Sequence, residues 1–268
     1  MLPLRDNIPS RSTPFINYLM IAICGVVFAF QLADENDGRD EMVERLGMIP
    51  VRITRPDEPV LIKKVGMQRT ASGIQRVERE VPAAAPSFPA VFTLLTCIFL
   101  HGGWAHFIGN MWFLYIFGDN VEDRLGHFGY LVFYLVCGVA ASTVHLLSDR
   151  SSVMPTIGAS GAIAGVMGAY MLLYPRATVM TLIPLVVFMQ IVSIPAPIFL
   201  GIWFLMQIFS GFGEASGEGA GIAWWAHIGG FAVGVAIAFI LNRLHFTRPR
   251  VDMRRPNSDS FHMYRLRS

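Results

Sequence analysis

Pro155-Thr-Ile-Gly158-Ala159-Ser160-Gly161-Ala-Ile-Ala-Gly165-Val-Met-Gly168 places a serine where a Gly/Pro-containing loop turns into an apolar helix of small residues. Unpaired N–H groups and the positive end of the helix dipole gather at such a point, where they can stabilise charge developing on a nearby oxygen. The stretch fits two readings. Ser160 is a nucleophile at a helix start, or it is an ordinary N-cap on a Gly-rich helix that packs closely in lipid.

The surroundings are those of a membrane protein. The chain is 53% hydrophobic and only 15% charged, with a mean hydropathy of +0.49, too apolar for a soluble domain of this size. A net charge of +2 with no basic-aromatic interleaving in the body of the chain argues against nucleic acid as a partner. Cys24, Cys97 and Cys137 lie in apolar runs without metal-ligand spacing and read as small core residues, with no metal or cofactor implied.

Runs near the roughly 20 residues needed to cross a bilayer recur down the chain, and six spans are expected. After a tail over residues 1–14, the first span covers residues 15–33 and lacks a small-residue cleavage site, so it is a membrane helix and not a removable signal. The extracytoplasmic stretch 34–103 is polar, with alternating pieces at Val51-Arg-Ile-Thr and Val60-Leu-Ile-Lys-Lys-Val that suggest a short hairpin or irregular loop. Its last part, Ala90 to Phe99, is too short to cross and reads as an interfacial segment. Residues 104–243 hold the remaining spans, beginning at about Trp104–Phe117, Gly129–Leu147, Ser160–Tyr174, Ile198–Phe212 and Trp224–Leu241. Val179–Val192 is an extended or tilted approach to the fifth of these, because Pro195 and Pro197 interrupt it. A flexible loop is expected at Gly211–Gly219.

Arg5 and Arg11 precede the first span, and Arg243, Arg248, Arg250, Arg254, Arg255, Arg265 and Arg267 follow the last, all but Arg243 within a basic tail over residues 244–268. The positive-inside tendency then places both termini in the cytoplasm, with Ser160 entering from the outer face. A multi-pass protein of a prokaryotic cell membrane is the expected setting.

Polar side chains inside spans are expensive and need a reason. His106 and Asn110 stand four residues apart on one helix face, Ser160 opens the fourth span, and His227 lies just inside the sixth. Together they supply a hydroxyl nucleophile, an imidazole base and two donors, the parts for acyl transfer. With no acidic third member in the spans, a Ser–His dyad is the arrangement implied. A transporter or channel lined by the same groups is the alternative, and it would expect an internal repeat. His145 is linked by spacing to nothing and reads as an interfacial or hydrogen-bonded packing histidine. Small residues at Ser160, Ala164 and Gly168, with Gly161 and Gly165 beside them, form one helical stripe, and Ala226, Gly230, Gly234 and Ala238 form a second. Two such stripes let helix backbones approach closely enough for a short hydroxyl to reach an imidazole.

His101-Gly-Gly-Trp-Ala-His106-Phe-Ile-Gly-Asn110-Met, Gly158-Ala-Ser160-Gly161 and Ala226-His227-Ile-Gly-Gly230-Phe-Ala-Val-Gly234 resemble, in this order, the signature segments of the rhomboid intramembrane serine proteases. Asp119-Asn-Val-Glu122-Asp123-Arg124-Leu-Gly126 resembles the segment that follows the second helix in that family. The resemblance covers about Phe88 to Leu241. It implies an all-α, six-helix bundle with a short central fourth helix, and a serine endopeptidase, free of metal and cofactor, that cuts other proteins in or near their transmembrane segments. Carried over by position, Ser160 is the nucleophile and His227 the general base, while His106, Asn110 and the Ser160 backbone N–H form the oxyanion site. Residues 212–223 resemble a mobile cap over the site. Some members carry a tyrosine four residues after the serine that packs on the histidine; here that position is Ala164, and the support must come from elsewhere. A non-catalytic adaptor of the same fold, binding client helices without cleaving them, is the second reading within the family.

Overall fold

A computed structural model describes residues 1–36, 40–70, 73–185, 188–213 and 223–249. The chain opens with strand β1 (Leu2–Asp6) and helix α1 (Phe15–Asn36). The short helices α2 (Glu41–Leu46) and α3 (Pro50–Thr54) follow, then a hairpin of β2 (Leu61–Thr70) and β3 (Gly73–Pro82). A run of single turns around α4 (Thr93–Thr96) leads into α5 (Trp104–Leu125), α6 (His127–Ser148) and the shorter α7 (Ser160–Leu173). A second hairpin of β4 (Thr178–Leu185) and β5 (Phe188–Pro195) precedes α8 (Ala196–Gly213) and α9 (Trp224–Arg243).

Among the described residues, four helices are long and apolar enough to cross a membrane: α1 over Phe15–Asp34, α6, α8 and α9. The segment Ala90–Phe99 and α5 qualify only as a pair, bent by 79°, which makes at most five. α7 has 14 residues, too few to span a bilayer core of ordinary thickness. The expected count of six full spans therefore exceeds what helix length alone supports.

α7 packs against α5, α6, α8 and α9, and nearly every residue after Ser160 is buried. The small-residue stripes explain how. A Cβ added to Gly230 would lie 2.0 Å from the Gly161 carbonyl oxygen, and one added to Gly234 would lie 2.1 Å from that of Gly165. α7 and α9 thus meet backbone to backbone along the two expected faces. The three cysteines are buried core residues with free thiols.

Three sequence expectations are corrected. The second span does not stop at Phe117. α5 runs on to Leu125, because its acidic end is consumed by other backbones and not by solvent. Glu122 accepts the N–H groups of Ile16 and Asn17 at 3.0 and 2.8 Å, capping α1, and Asp123 accepts from the Ser12 N–H and hydroxyl at 3.1 and 2.6 Å. Arg124 donates to Asn242 and Thr247 at 3.1 and 2.9 Å, tying α5 to the end of α9.

Val179–Val192 is no single extended approach. It lies within the antiparallel hairpin β4–β5, which pairs in turn with β1 in the order β1-β4-β5, so the fold is mostly helical with two small sheets and not all-α. The N-terminal tail is thereby structured. Asp6 accepts hydrogen bonds from the Tyr170 hydroxyl and from Asn120 Nδ2 (2.9 Å), and burial raises its carboxyl to about 6 against the lowering effect of the Tyr170 bond. β1, the base of β4–β5, the end of α7 and residues 244–248 consequently gather at one end of the bundle, opposite Ser160.

Lastly, Val51–Thr54 belongs to helix α3 and not to a strand, while the second alternating piece does join a hairpin, β2–β3. The expected loop at Gly211–Gly219, the cap-like 212–223 and most of the basic tail lie largely outside the described residues.

Candidate active site

Ser160 is the first residue of α7 and His227 the fourth of α9. Because Gly161 lies under Gly230, the two helices bring Ser160 Oγ to 2.7 Å from His227 Nε2. His227 is only 9% exposed, so this pair is held inside the bundle. In α7 the first intrahelical bond is the Ile163 N–H to the Ala159 carbonyl at 3.0 Å, so the N–H groups of Ser160 and its neighbours precede the helical ladder and point out of its end.

His106 is fixed from behind. Gly102 donates its backbone N–H to His106 Nδ1 at 3.2 Å, so the ring proton of the neutral imidazole resides on Nε2. That nitrogen faces the serine loop, since a Cβ built on Gly158 would fall 2.9 Å from His106 Nε2 and 3.5 Å from Ser160 Oγ. Gly158 is the thin wall between the two. Its φ of +133° is also a conformation that side-chain-bearing residues rarely adopt. Gly158→Ala should therefore suffer twice, from backbone strain and from a contact of 2.8 Å with the His106 ring. The expected outcome is activity lowered by at least roughly a hundredfold, as for a 1 Å misplacement of reacting groups, measured as initial cleavage rate beside a thermal melt.

Asn110 sits one turn beyond His106 on α5 and is buried, and its side-chain nitrogen has no partner among the described residues. A buried amide donor left open is costly unless something is meant to occupy it. The HGG segment is held to α1 by Gln31, which accepts the His101 N–H at 2.9 Å and donates to the His101 carbonyl at 3.1 Å. Gly103, at φ +126°, then turns the chain into α5. His145 on α6, read as an interfacial or hydrogen-bonded packing histidine, has a buried Nδ1 with no partner among the described residues.

Sequence reading missed one member of this site. Gln207 on α8 places its Oε1 2.8 Å from His227 Nδ1 and is 6% exposed. The Trp203 and Trp224 rings flank the imidazole, with centroids 5.9 and 6.0 Å away. They stand where Ala164 supplies no ring. The signal was present in the sequence, for a glutamine in the middle of an apolar span needs the same explanation as the histidines and Asn110.

The Rhomboid domain family model matches residues 89–244, the region that contains Ser160, His227, His106, Asn110 and Gln207. Over 80 residues, 30% of this chain, the sequence is 44% identical to Rhomboid-like protein 11, chloroplastic, of Arabidopsis thaliana, covering 28% of that protein. Over 151 residues, 55% of this chain, it is 30% identical to RHOMBOID-like protein 4 of the same plant, covering 33% of it. Over 160 residues it is 26% identical to Rhomboid protein 1, mitochondrial, of Saccharomyces cerevisiae, covering 42%. The chain thus spans less than half the length of these relatives. It belongs to the rhomboid family, and its apolar helices make it a membrane protein. The relatives whose names carry a compartment are chloroplastic or mitochondrial, which runs against the expected prokaryotic plasma membrane.

Proposed function

We propose that the chain is an intramembrane serine endopeptidase, hydrolysing peptide bonds in or near transmembrane segments of other membrane proteins. The observation that carries this is the 2.7 Å contact of Ser160 Oγ with His227 Nε2 between closely packed apolar helices. Hydrolysis there requires a hydrated crevice reaching Ser160 at the start of α7.

His227 Nε2 takes the Ser160 hydroxyl proton as Oγ attacks the scissile carbonyl carbon, and the carbonyl oxygen becomes an oxyanion. The Ser160 N–H, the open Asn110 amide and His106 Nε2–H are the donors that meet it. Collapse breaks the C–N bond, and the proton on His227 passes to the leaving amine. Water then attacks the acyl-enzyme by the same route, His227 accepting its proton and returning one to Oγ. The substrate helix has to unwind locally to present its peptide bond, so helix-breaking or small residues near its outer boundary favour cleavage.

The bundle is read as six membrane segments with α7 as a short, central fourth, residues 104–243 forming the catalytic core. The end that carries β1 and residues 244–248 faces the cytoplasm, in keeping with its arginines. Asn110→Ala should raise the transition-state barrier by about 3 kcal/mol, seen as a roughly hundredfold lower kcat with KM little changed. The test of the whole reading is incubation of the purified protein, in detergent, with a labelled single-span substrate. Cleavage is expected from the native chain. Binding of such helices without cleavage of any would favour the adaptor reading.

A further inference from the structure

The geometry points to Gln207 as the positioning residue for His227, a neutral amide doing the work that a carboxylate does in soluble serine hydrolases. This deepens the protease reading and rests on it.

The two ends of the Gln207 amide are distinguished by their partners. Nε2 donates to the Trp203 carbonyl one turn earlier on α8, at 3.1 Å. Turning the amide over would set its oxygen against that carbonyl oxygen, two acceptors with no proton between them. Oε1 therefore faces His227 Nδ1, and at 2.8 Å the ring must carry its proton there. The lone pair on Nε2 is then aimed at the Ser160 hydroxyl. That is the tautomer a general base requires, and nothing else described around the ring selects it, since Trp203 and Trp224 contribute only their faces and edges.

A neutral partner suits this location. The pair lies among apolar helices, where an ionised carboxylate would be costly to bury before any substrate arrived. The amide dipole still accepts a stronger hydrogen bond once His227 becomes imidazolium, so it favours the charged intermediate without adding charge to the resting site. The titratable groups that act on His227 from neighbouring elements are His106 on α5 and His145 on α6, and neither touches Nδ1. The missing acidic third member is thus replaced from α8.

The test reads the tautomer directly, with the full chain in detergent and its histidines labelled with 15N, His227 being assigned by comparison with His227→Ala. The native protein should show His227 protonated on Nδ1. Gln207→Leu, which keeps the bulk but removes the acceptor, should move the proton to Nε2 and lower kcat roughly tenfold to a hundredfold, the worth of one hydrogen bond to a charged group, while KM stays within about twofold. Gln207→Glu, which presents an oxygen at the same place whether ionised or neutral, should restore the Nδ1 proton and most of kcat. Nε2 protonation in the native chain, or Gln207→Leu retaining native kcat, overturns the assignment. So does loss of activity in both variants with the tautomer unmoved, which is what a purely structural role gives. Undiminished cleavage by Ser160→Ala would instead remove Ser160 as the nucleophile and sink the serine-protease reading, and the tautomer measurement would still decide the role of Gln207.

Discussion

Ser160→Ala should lower peptide-bond cleavage by roughly six orders of magnitude, as in soluble serine proteases stripped of their nucleophile, and so below detection. The substitution removes only Oγ. Ser160 opens α7 without capping it through its side chain, so the helix loses no bond of its own, and the site's other donors stay in place. Thermal unfolding of the variant should match that of the native protein, and a labelled single-span substrate should still bind. His227→Ala should be equally inert in turnover, since the two groups act as one unit and the second loss adds little to the first. Initial rates over long incubations, with both variants beside the native chain, read this out.

Gly230→Ala should be the most damaging of the structural changes, because the new methyl meets main chain. Its Cβ would stand 2.0 Å from the Gly161 carbonyl oxygen and 2.9 Å from the carbonyl carbon. Neither atom belongs to a side chain that can swing aside, so α7 and α9 must separate by more than an ångström. Overpacking of this kind costs about 1–3 kcal/mol, and more where backbone is the obstacle. The same movement carries Ser160, the neighbour of Gly161, away from His227, and a misplacement of about 1 Å lowers rate by roughly a hundredfold. Gly201→Ala on α8 is the control, for a Cβ there meets nothing within 4 Å. Thermal unfolding and cleavage rate should fall together for Gly230→Ala and stay native for Gly201→Ala.

The centre of the molecule was legible in the sequence because lipid makes its logic strict. A polar group inside an apolar run has to serve some purpose, and Ser160, His227, His106 and Asn110 stand out on that ground alone. The two small-residue stripes likewise announced the contacts of Gly161 with Gly230 and of Gly165 with Gly234. What stayed hidden was set by partners far along the chain. The second span was expected to end near Phe117, before Asp119–Arg124, yet Glu122 and Asp123 serve N–H groups more than a hundred residues earlier, and local sequence does not reveal that a carboxylate is spoken for. The hairpin β4–β5 was concealed for another reason. Both of its faces are largely apolar, so no alternation marks it, and it is completed by β1 from the opposite end of the chain. Gln207 was legible in principle, as a lone amide on an apolar helix, but its meaning depends on α8 leaning on α9, which spacing does not disclose.

The most direct measurement is covalent. Incubation with a fluorophosphonate reagent, followed by proteolysis and mass mapping, should place a single phosphonyl group on the peptide that contains Ser160, and His227→Ala should suppress that labelling. Modification at a different residue, with Ser160 untouched in a chain that still cleaves its substrate, would contradict the assignment of nucleophile and base.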